Sequence, residues 1–213
     1  MDLLHTAYVP PGDGPHPTVL ALHGWGASAL DLLGLAPHLG RGHHLVLCPQ
    51  GGIEVPLGGA SGWGWFPLTG GGPPDAKAVV AAVQQLRAFV DAAQRAYPVD
   101  AQRTVVAGFS QGGVMGYALA LADPKRFAGL AALSSWLPAE IAAQAAEGRQ
   151  SLRTLVHHGA NDPMIPVARG RESVERLREL AVPVEFREFE MGHEINGASL
   201  ADLVRWLADT LRS

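Results

Sequence analysis

Cysteine is nearly absent: Cys48 stands alone in 213 residues, so no internal disulfide can form. It closes the apolar run His44 to Cys48 and reads as a small buried hydrophobe. Long apolar runs are missing too, so no membrane-spanning segment is expected. The start, Met-Asp-Leu-Leu-His, has neither the basic nor the apolar part of a secretory signal. Together these absences predict a reducing, cytoplasmic setting. Charge is sparse at 17%, the formal net charge is −4, and no basic cluster occurs, which argues against nucleic acid as a partner. His38, His43 and His44 lie close in sequence but lack the acidic or thiolate companions of a zinc site, so no metal or cofactor is expected. There is no internal repeat and no dividing linker, which predicts one domain over residues 1–213.

What is present is alternation. Met1 to Val9 suits an edge strand. Thr18 to His23 is a near-continuous apolar run of the kind buried on both faces of a parallel sheet. Ser28 is placed to cap a helix over Asp31 to Leu39, and His44 to Cys48 is the next strand. Asp75 caps a long helix whose Val79, Val83, Leu86, Val90, Ala93 and Tyr97 form one stripe. Further strands are predicted at Phe127 to Ser134, Thr154 to His158 and Val184 to Phe189. Helices are predicted at Pro138 to Gly148 and Val167 to Leu180, with a last one capped by Ser199. Strands alternating with helices imply an α/β fold, a mostly parallel sheet covered on both faces. Chemistry in such sheets gathers beyond the carboxyl ends of the strands. The stretch Gln50 to Pro74 has no strand or helix period but carries Trp63, Trp65 and Phe66, and reads as the wall of a binding site.

The run Thr104 to Gly113 is the centre of the chain. Gly108-Phe109-Ser110-Gln111-Gly112 matches G-x-S-x-G, with an apolar strand before it and an apolar helix after it. A strained nucleophile on a sharp turn demands small residues two places to either side. The alternative is an ordinary helix N-cap serine. Ser61 begins a similar pattern, but Trp63 replaces the last glycine, so Ser61 reads as a loop residue. A serine nucleophile needs a base oriented by a carboxylate. His193 follows the last strand and Asp162 follows the strand Thr154 to His158, so the order Ser110, Asp162, His193 suits this fold. Taken singly, Asp162 could start a turn before Pro163 and His193 could be a loop histidine. His157 and His158 read as structural. The oxyanion donors expected are the backbone N–H groups of Gln111 and of Trp25, the latter between Gly24 and Gly26.

With these residues placed, the chain resembles the phospholipase/carboxylesterase family of α/β-hydrolases, which includes acyl-protein thioesterases and small bacterial carboxylesterases. The carriers are Leu22-His23-Gly24-Trp25-Gly26, Trp65-Phe66, Gly108 to Gly113, Leu133 to Pro138, His158 to Pro163 and Gly192-His193-Glu194. The resemblance implies an α/β-hydrolase fold and a triad of Ser110, Asp162 and His193. It also implies an oxyanion hole at Trp25 and Gln111. Trp25 stands where members often carry leucine, which implies a shorter acyl pocket. The interval from Ser134 to Thr154 is too short for a lid domain, so Trp63, Trp65, Phe66 and Trp136 are expected to wall an open site. The expected function is hydrolysis of carboxylic esters of short-to-medium acyl chains. The alternatives are thioesterase, lysophospholipase or peptidase activity, and a non-catalytic binding module. The exposed aromatics could equally serve a homodimer.

Overall fold

The computed structural model describes residues 3–68, 70 and 72–212. Met1 and Asp2 of the predicted first strand, Thr69 and Gly71 of the predicted loop, and Ser213 fall outside that range. In chain order the strands are β1 (His5–Tyr8), β2 (His16–Leu22), β3 (Leu45–Pro49), β4 (Ile53–Pro56), β5 (Ser61–Gly64), β6 (Val99–Phe109), β7 (Gly129–Leu133), β8 (Arg153–Gly159) and β9 (Val184–Phe189). The helices are α1 (Ala76–Ala96), α2 (Gln111–Ala122), α3 (Ala139–Ala142), α4 (Val167–Glu179) and α5 (Gly197–Thr210). Seven strands form one sheet in the order β1-β3-β2-β6-β7-β8-β9, while β4 and β5 pair separately. Within the seven-stranded sheet only β1 is antiparallel to its neighbour. This is the mostly parallel sheet expected from the sequence, and the short α3 between β7 and β8 leaves no separate lid.

The period of two along each strand divides the core. Leu20, Leu22 and Val106 face one side with Leu86, Phe89, Met115 and Leu177, the side of α1 to α4. Val19, Ala21, Val105 and Ala107 face the other, against Leu203, Trp206 and Leu207 of α5. α2 is buried from Gln111 to Leu121, as an all-apolar helix must be. The chain runs outward from β2 to β3, then returns to place β6 on the other flank of β2. That reversal brings the loop after β2 against the turn after β6, the position where ligands bind in such sheets.

Local structure departs from the sequence reading at four places. The helix predicted over Asp31 to Leu39 is instead two 3₁₀ turns, Leu32–Leu35 and Leu39–Gly42, because Gly34, Pro37 and Gly40 interrupt it. The Ser28 hydroxyl accepts from the Leu30 amide and caps no α-helix. Within the stretch read as loop, β4 and β5 form a hairpin, with Leu57 N donating to Ala60 O at 2.9 Å. Gly58 and Gly59 both take positive φ, 64° and 108°, as a two-residue hairpin turn requires. Ser61 therefore lies on a strand, its hydroxyl on the Glu54 carboxylate. Helix α3 spans four residues of the eleven predicted. Asn196, not Ser199, caps α5, its side chain accepting from Ser199 N at 2.9 Å. The Asp75 cap on α1 is as expected, accepting from Lys77 N at 2.8 Å.

Four histidines lie deep in this fold, at positions 23, 44, 157 and 158. Burial holds the pKa of His23, His44 and His157 below the ordinary value of 6.5. A ring kept neutral in the fold charges first in the unfolded chain as pH falls. Stability is therefore full above 6.5 and is lost below it, each ring adding at most about 1.4 kcal/mol per pH unit. We expect urea midpoints to fall between about pH 7 and pH 5.5, and His157→Gln to flatten that dependence by roughly one proton. An unchanged slope in the variant would contradict the assignment. Cys48 is likewise buried, its thiol pushed up to about 12.

Candidate active site

Ser110 follows the carboxyl end of β6 with φ 53° and ψ −120°, a conformation that side-chain-bearing residues avoid. Its neighbours show why the glycines are there. A Cβ on Gly108 would sit 2.2 Å from Gly112 O, and one on Gly112 would sit 2.0 Å from Leu22 O. The turn is pinned by Ser110 N donating to Leu133 O at 2.9 Å and by Ser135 Oγ donating to Ser110 O at 2.7 Å. No side-chain hydrogen bond from Ser110 caps α2, so the plain N-cap alternative does not describe it.

Asp162 and His193 meet above the ends of β8 and β9. His193 Nδ1 donates to Asp162 Oδ2 at 2.7 Å, which leaves Nε2 as the nitrogen not engaged by the carboxylate. The Asp162 side chain is fully buried, and its Oδ1 accepts from Met164 N at 2.8 Å and Ile165 N at 2.9 Å. Asn161 Nδ2 donates to Glu190 Oε2 at 3.1 Å, joining the aspartate loop to the histidine loop. The His193 ring packs on Phe109, beside Ser110, with centroids 4.8 Å apart. Among the described residues the Ser110 hydroxyl makes no hydrogen bond, so a serine–histidine contact is not closed. Contacts of this kind are often loose until substrate binds.

The loop after β2 lies against the serine: a Cβ on Gly24 would be 3.3 Å from Ser110 Cβ. His23 orients this loop. Its Nε2 accepts from Gly51 N at 2.9 Å, so Nδ1 carries the proton and donates to Gly24 O at 2.7 Å. A trans peptide points its N–H opposite its C=O, so the Trp25 amide faces away from the His23 ring. Among the described residues neither Trp25 N nor Gln111 N has an acceptor.

The four predicted wall residues separate into two kinds. Trp63 and Trp136 are half-buried. Trp65 and Phe66 belong to the core at 4% and 1% exposure, so Trp65 backs the site rather than facing it. Its indole Nε1 donates to His23 O at 2.9 Å. A cavity of about 460 Å³ is lined by Phe66, Pro67, Leu68, Trp136, Met164 and Ile165, with Arg169 at its edge. A smaller one of about 170 Å³ lies between α1, α2 and α3; neither cavity is lined by Ser110, Asp162 or His193 themselves, and the larger one adjoins them through Met164 and Ile165 of the aspartate turn.

The sequence pattern described as Phospholipase/Carboxylesterase matches residues 4–211. The chain belongs to this family. Its curated relatives include a probable carboxylesterase SOBER1-like of Arabidopsis thaliana and a probable inactive carboxylesterase of Oryza sativa subsp. japonica. Each is 31% identical, over 70% and 69% of this chain. The matches span only 60% and 63% of those two proteins' own lengths. Acyl-protein thioesterase 1 of Mycosarcoma maydis is 29% identical over 97% of both chains. Among solved structures, esterase PE8 superposes with a TM-score of 0.84 at 23% identity, covering 99% of this chain and 100% of that one, which shows the α/β-hydrolase fold. The family is one of hydrolases, and no helix among the described residues is long and apolar enough to cross a membrane.

Around this candidate site, two residues carry roles that sequence reasoning did not assign. His158 Nε2 donates to Ile165 O at 2.8 Å and lies 3.7 Å from Asp162 Oδ2, so it holds the turn whose amides grip that carboxylate. Gln111 was expected to contribute only its amide. Its buried side chain also accepts from Trp65 N at 2.8 Å and donates to Phe66 O at 2.6 Å. His157, read as structural, donates Nε2–H to Asp202 Oδ2 at 2.9 Å, away from the dyad.

Proposed function

We propose that this chain is a serine carboxylesterase working through an acyl-enzyme. The single observation that carries the reading is the strained Ser110 at the elbow, beside a histidine already bonded to a buried aspartate at 2.7 Å. Ser110 Oγ attacks the acyl carbonyl carbon while His193 Nε2 takes its proton. Asp162 keeps the imidazole in the Nδ1–H tautomer and stabilises its charge once protonated. The oxyanion lies between the Trp25 and Gln111 amides, the latter at the positive end of α2. His193 returns the proton to the departing alcohol. Water, deprotonated by His193, then attacks the acyl carbon and releases Ser110 and the carboxylic acid. No metal or cofactor takes part. The cavity beside Trp136 and Phe66 takes the acyl group, and its size favours short-to-medium chains on a small-molecule ester.

A thioesterase reading uses the same machinery, and the acyl-protein thioesterase matched over 97% of this chain favours keeping it. A non-catalytic module has a precedent in the relative named as inactive, but the aligned aspartate–histidine pair and the strained serine speak against it here.

The test is covalent. An aryl phosphonate should add one phosphonyl group, located on the Ser110 peptide by mass spectrometry, with loss of ester hydrolysis in proportion. Rates on p-nitrophenyl esters from acetate to laurate should peak before the longest chains. Labelling elsewhere, or full labelling with activity retained, would overturn the reading.

A further inference from the structure

The segment Gly62 to Phe66 touches both residues whose amides are proposed to hold the oxyanion. On one side Gly26 N donates to Trp63 O at 2.9 Å and Trp63 N donates to Ala27 O at 2.7 Å, a bridge that ties the segment to the loop carrying Trp25. The Trp25 ring lies flush on Gly64, where a Cβ would come within 2.2 Å of it. On the other side the Gln111 carboxamide grips the next two residues, Oε1 accepting from Trp65 N at 2.8 Å and Nε2 donating to Phe66 O at 2.6 Å. The Trp65 indole closes the circuit on His23 O at 2.9 Å. The Gln111 side of this circuit is buried, with Gln111 itself 1% exposed, while Trp25 and Trp63 are half-buried.

From this geometry we infer that Gly62 to Phe66 is a strap that sets the spacing of the two oxyanion donors, with the Gln111 side chain and Trp65 as positioning residues. The inference rests on the serine-hydrolase reading. The two amides come from loops far apart in sequence. The β2–β6 ladder aligns the two strands up to Leu22 and Gly108, but beyond it no backbone bond joins Trp25 to Gln111 among the described residues, and the segment supplies the tie between their loops. The strap bonds to one loop through its backbone and to the other through a carboxamide, which offers one donor and one acceptor at a fixed separation. It acts through the donors and not on the substrate. Loosening it therefore weakens binding of the transition state more than binding of the ester.

The test compares wild type with Gln111→Met, which keeps the shape and loses both carboxamide bonds, and with Trp65→Phe, which loses only the indole bond. Three quantities are read: kcat, KM on one aryl ester, and Ki for an aryl trifluoromethyl ketone, which forms a tetrahedral oxyanion on the serine. We expect kcat to fall by about 10- to 100-fold in Gln111→Met with KM nearly constant, and Ki to rise by a similar factor. Trp65→Phe should shift both the same way by less. A merely structural loss lowers the active fraction but leaves Ki unmoved. Unchanged kcat, a rise in KM alone, or a fall in kcat with Ki held would each overturn the strap. If Gln111→Met fails to fold, Trp65→Phe decides by the same readouts. An inactive wild type that takes no phosphonate at Ser110 would overturn the hydrolase reading and this inference with it, whereas an active wild type with indifferent variants overturns the strap alone.

Discussion

Ser110→Ala is expected to lower kcat on aryl esters by about 10⁵- to 10⁶-fold, with KM changed little. Alanine removes the hydroxyl proposed to form the acyl bond. The elbow itself should survive, because its anchors are the Ser110 N–H on Leu133 O and the Ser110 carbonyl under Ser135 Oγ, neither of which uses the hydroxyl. The residual rate then reports the oxyanion amides and the acyl cavity acting without a nucleophile. Steady-state kinetics on the purified variant, beside a thermal melt showing an intact fold, make the measurement. Equal activity in both proteins would mean that chemistry happens elsewhere. A variant that loses activity and melts early would point instead to a structural role for the hydroxyl, which makes no hydrogen bond among the described residues.

Gly112→Ala is expected to cost the most stability, about 3 kcal/mol or more. The added Cβ would meet Leu22 O at 2.0 Å, Leu22 C at 2.5 Å and His23 O at 2.6 Å, all backbone atoms of β2 and the loop after it. No rotamer change relieves such a clash, so either α2 lifts or β2 moves. Both displace the loop that carries Trp25. Urea unfolding measures the loss. Gly197→Ala is the control, since nothing lies within 4 Å of its added Cβ, and it should be neutral or slightly stabilising. Equal midpoints in the two variants would show that the close approach of α2 to β2 is not needed.

Much of the site was legible because its parts are marked locally. A strained serine needs glycines in fixed places, and Gly108 and Gly112 occupy them. Asp162 and His193 each follow a strand, in the order this architecture uses, and the structure brings them together at 2.7 Å. The hairpin of β4 and β5 was also marked, by Gly58-Gly59, but a search for long periodic runs passes over strands of four residues. The helix expected from Asp31 failed where spacing was read without weighing Gly34 and Pro37 against it.

The sequence by itself determined the alternation of strands and helices, the elbow and the placing of Ser110, Asp162 and His193 each after a strand, because each depends on neighbours within a few residues. Tertiary structure alone decided what crosses long stretches of chain. It turned Trp65 and Phe66 into core and made His158 the keeper of the aspartate turn. It also set the Gln111 side chain on a backbone 45 residues away. A carboxamide or an indole carries no sign in sequence of the partner it will bond, because that partner is chosen by the packing of the sheet and not by the chain beside it.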